Sequence, residues 1–267
     1  MNQAEMLDFF YGGKMGRIIA VANQKGGVAK TTTTVNLSAC LAGLGKKVLM
    51  VDSDPQGNAT SGIGIQKYDL SECYYDVLIN DENIGSLITE TQIPGLDVVP
   101  ATLQLAGAEV ELVQKQKREY LAKKALDKVK HRYDYILMDC PPSLGLLTIN
   151  ALTAADSYLI PVQAEYYALE GLTLLLRTIE SIRKSSNQAL RLEGVLLTMY
   201  DSRTNLSNQV EDEVQAYFRD KLYQTRIPKN IKLAEAPSYG LPICMYDKNS
   251  KGCEAYLSLA KEVINRG

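Results

Sequence analysis

The sequence has no tryptophan, a single histidine and only three phenylalanines, and its formal net charge is -2 over 267 residues. A chain so close to neutral has no global field to draw it onto nucleic acid; such a contact would have to come from a local basic patch. Its five cysteines (Cys40, Cys73, Cys140, Cys244 and Cys253) form no CxxC pair, and none lies near enough to His131 in sequence to suggest a metal site. This excludes a cysteine-held metal cluster by spacing and leaves reduced thiols that mostly fill the core. No apolar run approaches the ~18–20 residues that cross a bilayer, and the first residues lack the apolar stretch of a secretory signal. A cytoplasmic protein is expected. What the chain does have is 46 % hydrophobic residues, enough for a sizeable core.

Residues 1–14, MNQAEMLDFFYGGK, read as a short N-terminal extension ending in Gly12-Gly13, unless the biological start is Met15. From there short apolar, β-branched runs alternate with helical patterns. Strands are expected over 17–22, 47–51, 96–99, 134–138, 157–162, 192–198 and 222–227, and helices over 30–43, 104–129 and 169–185. In the last of these, Leu172, Leu175, Leu176, Ile179 and Ile182 share one helical face. The strands are apolar throughout rather than alternating, as in a parallel sheet buried on both faces. With no repeat, low-complexity tract or linker, residues 15–267 read as a single α/β domain, a mostly parallel sheet with helices on both faces. Ligands in such sheets bind at the carboxyl ends of the strands.

One segment there has the makings of a phosphate loop. Asn23-Gln24-Lys25-Gly26-Gly27-Val28-Ala29-Lys30-Thr31-Thr32 follows the first strand and leads into a helix. A Gly-containing turn into a helix N-terminus aims backbone N–H groups at one point, which suits a polyphosphate. Lys30 would reach the β/γ-phosphates of ATP, and the Thr31 hydroxyl would ligate Mg²⁺. The strict P-loop pattern fails at both glycines, whose places Gln24 and Ala29 occupy. If position 29 needs a positive φ or close backbone approach, the extra methyl costs nucleotide affinity; if its φ is helical, alanine is harmless.

Two acidic segments end strands nearby. Val48-Leu49-Met50-Val51 runs into Asp52-Ser53-Asp54-Pro55-Gln56-Gly57-Asn58, and Tyr135-Ile136-Leu137-Met138 into Asp139-Cys140-Pro141-Pro142. Carboxylates at a strand end beside a phosphate loop can orient a water for in-line attack and organise a metal shell. Asp139 reads as a Walker B acid, holding Mg²⁺ through water. Alone, either segment could equally be a polar turn closing a buried strand.

Together these segments resemble the ParA/MinD family. Lys25 to Thr32 is similar to that family's deviant Walker A motif, with Lys25 as the signature second lysine and Ala29 as the departure. Asp52 to Asn58 resembles its DxDPQGN motif. The likeness runs from about residue 17 to the C-terminus, through Pro161 to Gly171, Thr198 to Asp201, Ile227-Pro228-Lys229-Asn230 and Ala234 to Ser238. It looks specifically like the ParA/Soj partition branch. That resemblance implies an Mg-dependent ATPase in which Lys25 reaches a partner's phosphates across an ATP-dependent homodimer. It implies that Asp54 positions the attacking water, that Asp52 supports the Mg²⁺ site, and that Pro228 and Asn230 border the adenine. It also implies nucleoid association through nonspecific double-stranded DNA, with hydrolysis stimulated by a ParB-type partner.

For the DNA face, Arg226, Lys229, Lys232, Lys248 and Lys251 stand against Glu235 and Asp247 between residues 226 and 251, and Arg203 joins them by the resemblance. Scattered solvated lysines are the plain alternative. A MinD-type membrane-surface ATPase is the second functional reading, although residues 255–267 carry mixed charge and look like a packed helix rather than an anchor. A P-loop metabolic enzyme, such as an ATP-dependent amidase or ligase, is the third; it would need its own acid/base group, and His131 sits in a charged, exposed-looking stretch.

Overall fold

The structure, a computed structural model, describes residues 15–165 and 171–266. The extension at 1–14 and residues 169–170 of the helix expected over 169–185 lie outside the described residues.

Eight strands form one sheet: β1 (Arg17–Val21), β2 (Val48–Asp52), β3 (Thr89–Glu90), β4 (Leu96–Val99), β5 (Tyr135–Asp139), β6 (Ser157–Gln163), β7 (Arg191–Tyr200) and β8 (Leu222–Pro228). Their order is β3-β4-β2-β5-β1-β6-β7-β8. Every pairing is parallel except the antiparallel β3–β4 edge.

The helices are α1 (Lys30–Gly43), α2 (Asn58–Gly62), α3 (Tyr74–Ile79), α4 (Ile84–Leu87), α5 (Leu105–Glu111), α6 (Leu121–Leu126), α7 (Leu146–Ala154), α8 (Leu172–Ser185), α9 (Asn205–Phe218), α10 (Ile231–Glu235), α11 (Ile243–Tyr246) and α12 (Lys251–Arg266). Side chains of β1 alternate between two cores, as the period of a strand requires. Ile18, Ala20 and Ala22 face one with Leu147 of α7 and Leu175 of α8, while Ile19 and Val21 face the other with Leu37 and Leu41 of α1 and Leu259 of α12. Such double burial explains why the central strands are apolar throughout: β2 and β5 are buried at all five positions.

Sequence and structure part in three places. The helix expected over 104–129 is broken, because Lys117 adopts a left-handed conformation (φ 50°) and the Asn150 side chain of α7 replaces helical partners. Asn150 donates to Arg118 O at 2.7 Å and accepts from Ala122 N at 3.1 Å. Leu176 on the expected apolar face of α8 is half-buried, while Leu172, Leu175, Ile179 and Ile182 are buried. The short edge strand β3 carries no pattern visible in the sequence. No helix among the described residues is long and apolar enough to cross a membrane.

The topology places a crevice. From β1 the chain crosses through α1 toward β2, and from β5 it crosses through α7 in the other direction to β6. The loops after β1 and β5 therefore diverge from adjacent strand ends, which is where parallel sheets bind ligands.

Candidate nucleotide site

The loop between β1 and α1 is held by its own backbone and by neighbouring strands. Asn23 donates to Pro161 O at 2.8 Å and accepts from Lys25 N at 3.0 Å. On the far side, the Thr198 hydroxyl of β7 donates to Val28 O at 3.1 Å. Between these anchors Gly26 and Gly27 are exposed, with Gly27 at φ 75° and nothing where a Cβ would point. Ala29 caps α1 at φ 67°, ψ 34°, with no side-chain cap, so the first-turn N–H groups at Lys30, Thr31 and Thr32 face the loop's concave side. The question that Ala29 posed is thus answered: the position does need a left-handed backbone, at a strain glycine would avoid.

Lys30 is buried and donates to Lys25 O at 3.1 Å, curling across the loop. Burial holds its pKa below the usual lysine value, against the pull of Asp139 and Asp54. Lys25 points away: its ammonium lies 3.6 Å from Glu165, and its side chain is 38 % exposed.

Asp139 ends β5 with no exposed surface, and Asp52 sits beside it in register at the end of β2. The Thr34 hydroxyl donates to Asp139 Oδ1 at 3.1 Å. Its Oδ2 is buried without a partner. Burial, then the neighbouring Asp52, push the Asp139 carboxyl above the usual carboxylate range, and burial does the same to Asp52. Asp52 has a structural duty as well: its Oδ2 accepts from the Thr60 hydroxyl at 2.7 Å and Thr60 N at 2.8 Å, and its Oδ1 from Asp54 N at 3.2 Å. Asp54, nearly buried, accepts from Gln56 N at 2.9 Å.

Three buried acids against one buried lysine, with a carboxylate oxygen unpartnered, suit a bound cation. Among the described residues no group of side chains chelates a metal unaided. Magnesium keeps waters and takes phosphate oxygens beside one or two protein ligands, which this donor set could supply. Thr34, Thr60 and Thr198 escaped the reading of the sequence. Only the run Thr31 to Thr34, which puts hydroxyls on the sheet side of α1, could have signalled one of them.

Pro228 ends β8, three strands from β1, and Asn230 follows it; the Asn230 side chain caps α10 by accepting from Lys232 N at 2.8 Å. The basic residues cluster at the same end of the sheet. Arg203 follows β7 and Lys229 follows β8, and Lys229 N bonds Tyr200 O at 3.2 Å. Lys232 lies on α10, and Lys251 begins α12 where Gly252 packs under Leu233 of α10. All four are exposed. Two are partly countered, Arg203 by Asp201 at 2.7 Å and Lys232 by Glu235 at 2.9 Å. Arg226 does not belong to this face: it pairs with Glu211 of α9 and is 19 % exposed.

A strand–loop–helix phosphate cradle, with an acid at the end of the neighbouring strand, defines a P-loop nucleotide-binding protein of the parallel α/β class. The sequence profile of the family described as an AAA domain matches residues 16–192. The chain is 62 % identical over 253 residues to the sporulation initiation inhibitor protein Soj of Bacillus subtilis, covering 95 % of this chain and 100 % of that one. It is 52 % identical over 252 residues to the chromosome partitioning protein ParA of Myxococcus xanthus, covering 94 % and 89 %. It belongs to the Soj/ParA family of partition ATPases. Among solved structures, cobyrinic acid a,c-diamide synthase from Mycobacterium smegmatis with bound ADP and magnesium superimposes with a TM-score of 0.82, at 38 % identity over 94 % of this chain and 95 % of that one. The cell division ATPase MinD of Pyrococcus furiosus does so at 0.77 and 27 % identity, over 95 % and 100 %.

Proposed function

We propose that this protein is an Mg-dependent ATPase that works as a partition switch, forming an ATP-bound dimer that holds DNA and is reset by hydrolysis. The observation that carries the reading is the buried set of Lys30, Asp54 and Asp139, with half-buried Thr31, around the first turn of α1. Backbone N–H groups from Gly26 to Thr32, with Lys25, Val28 and Ala29 shaping the loop, cradle the phosphates. Lys30 meets the β/γ-phosphates. Magnesium, when bound, neutralises charge developing on those oxygens. Thr31 would ligate it directly and Asp139 through water, while Asp52 keeps the β2 loop in place. Asp54 orients the attacking water, so the protein contributes positioning and charge stabilisation rather than a nucleophile.

The half-exposed Lys25 fits a role outside its own site, on the phosphates of a second copy. Pro228 and Asn230 would border the adenine, and Arg203, Lys229, Lys232 and Lys251 would form the DNA face. A ParB-type protein is the natural stimulating partner, given relatives named for chromosome partitioning. The membrane-surface reading gains nothing from α12, whose apolar residues Tyr256, Leu259, Ala260 and Val263 are buried in the core.

Binding of a fluorescent ATP analogue tests the assignment. Lys30→Ala is expected to weaken it at least tenfold while the protein stays folded by circular dichroism; unchanged affinity would overturn the reading.

A further inference from the structure

The end of the sheet away from the phosphate loop carries a second concavity, where the amino ends of β1, β5, β6 and β7 meet. It is a cleft of about 560 Å³, large enough for a small ligand. Five cations from five separate segments line it: Arg17 opening β1, Lys46 between α1 and β2, Lys123 on α6, Lys130 before β5 and Arg191 opening β7. Two carboxylates, Asp134 and Asp156, stand against them.

Both carboxylates already have partners. Asp156 accepts from Lys130 Nζ at 2.9 Å and 2.8 Å and from Ile18 N at 2.8 Å, while Asp134 Oδ2 accepts from Lys47 N at 2.8 Å. Arg17 donates to Glu193 at 2.5 Å, yet its buried Nε has no acceptor among the described residues. The side chains of half-buried Lys46 and exposed Arg191 have no hydrogen-bond or ion-pair partner among the described residues. Lys123 has only the exposed Asp127 of its own helix end, at 3.9 Å. The cleft is left with positive charge that no carboxylate offsets and with donors that lack acceptors, and its concave shape concentrates that field.

Its walls are fixed without a ligand. Asn187 donates to Ala155 O at 2.7 Å and Leu152 O at 3.0 Å, tying the turn before β7 to the end of α7, and Gly16 lies too close to Tyr133 O for any Cβ. Among the described lining residues the one aromatic ring, Tyr135, is buried and has the Arg17 guanidinium 5.5 Å from its centroid, so no open ring face is offered to a base. We propose that this cleft binds a compact, non-aromatic oligophosphate whose charges are met by Lys46, Lys123 and Arg191, with Arg17 Nε as a further donor. The Arg191 guanidinium suits a phosphate because its paired N–H groups match two oxygens at once. β1 separates the two ends: Arg17 opens it and Asn23 lies just past it, on the order of 20 Å away for six residues of extended chain. Both sites can therefore be filled together, and the proposal stands independently of the nucleotide reading.

The test is calorimetric titration of the full chain with tripolyphosphate at constant ionic strength. The phosphate loop is taken out of the measurement in two ways, by saturating the protein with ADP and by the Lys30→Ala variant. In both cases tripolyphosphate should bind one-to-one and raise the unfolding midpoint as its concentration rises. Lys46→Gln and Arg191→Gln should each weaken binding roughly tenfold, as loss of a charged hydrogen bond does. Arg191→Lys should recover part of that loss, and Lys232→Glu, at the other end of the sheet, should change nothing. Each variant is first checked for a wild-type unfolding midpoint without the probe, and Lys123→Gln replaces either neutralised variant that fails. Absence of binding by the wild-type protein overturns the proposal. So does binding that vanishes with ADP or in Lys30→Ala, that survives neutralisation of the cleft, or that falls as far in Lys232→Glu.

Discussion

At the scale of single residues the phosphate loop turns on two positions. Ala29 adopts φ 67°, a conformation that costs an L-residue roughly 1–2 kcal/mol more than glycine. Part of that is offset because alanine restricts the unfolded chain more than glycine does. Ala29→Gly is therefore expected to raise stability by about 0.5–1 kcal/mol, read as a higher unfolding midpoint without nucleotide. The methyl would also crowd the approach of a polyphosphate to the loop, so the same variant should bind an ATP analogue more tightly, by about 3–10-fold for a gain near 1 kcal/mol. A lower midpoint with weaker binding would show that the methyl packs usefully. Asp54 and Lys25 should divide the cycle between them. Asp54→Ala keeps nucleotide binding and loses turnover, so dimers accumulate with ATP; Lys25→Ala binds nucleotide as a monomer. Light scattering beside an ATPase assay distinguishes them, and an Asp54→Ala protein that stays monomeric while Lys25→Ala dimerises would contradict the scheme.

At the scale of elements, tertiary hydrogen bonds decide what local pattern leaves open. Glu109 of α5 illustrates this: its carboxylate accepts from Leu146 N at 2.8 Å and Leu147 N at 3.3 Å, acting as the missing N-cap of α7. Gly145 is needed at that junction, since a Cβ there would stand 2.5 Å from Glu109 Oε1. Glu109→Ala should destabilise the protein by about 1–2 kcal/mol, as loss of a cap does, and a shift of the urea midpoint at constant slope measures it. The seven longer strands and α1 could be read directly from the sequence because each depends on its own apolar run; β3 could not. The helix expected over 104–129 could not, because its break depends on Asn150, 28 and 32 residues away from the groups it bonds. The candidate site divides the same way. Lys25 to Thr32, Asp54 and Asp139 lie in contiguous motifs and stand out by residue type and order. Thr34 matters through Asp139, 105 residues distant, and Arg226 drops out of the basic face through Glu211, 15 residues earlier, so neither can be judged from its own segment.

At the scale of the whole molecule, the basic residues stand on an otherwise near-neutral chain, and their arrangement sets how DNA would be held. Arg203, Lys229, Lys232 and Lys251 come from four adjoining segments at the carboxyl ends of β7 and β8. Arg203 and Lys232 already share carboxylate neighbours. These pairs are exposed and weak, so phosphates can displace them at little cost. One copy offers three or four phosphate contacts and should bind feebly. A two-fold dimer would present both faces to one duplex, and the second would engage at high effective concentration once the first had bound. Binding should then require ATP and ignore sequence. With roughly six phosphates neutralised, log K should fall against log salt with a slope near −5, from about −0.9 per phosphate. Arg203→Glu or Lys232→Glu should abolish binding while ATP-driven dimerisation survives, because neither residue belongs to the phosphate loop. Arg226→Glu should act differently: it places two carboxylates together against Glu211, so it lowers stability before it touches DNA binding. Fluorescence anisotropy on a labelled duplex across a salt series, beside thermal unfolding of each variant, reads all three. Equally tight binding by the nucleotide-free protein, or binding indifferent to salt, would rule out a dimer-presented basic face.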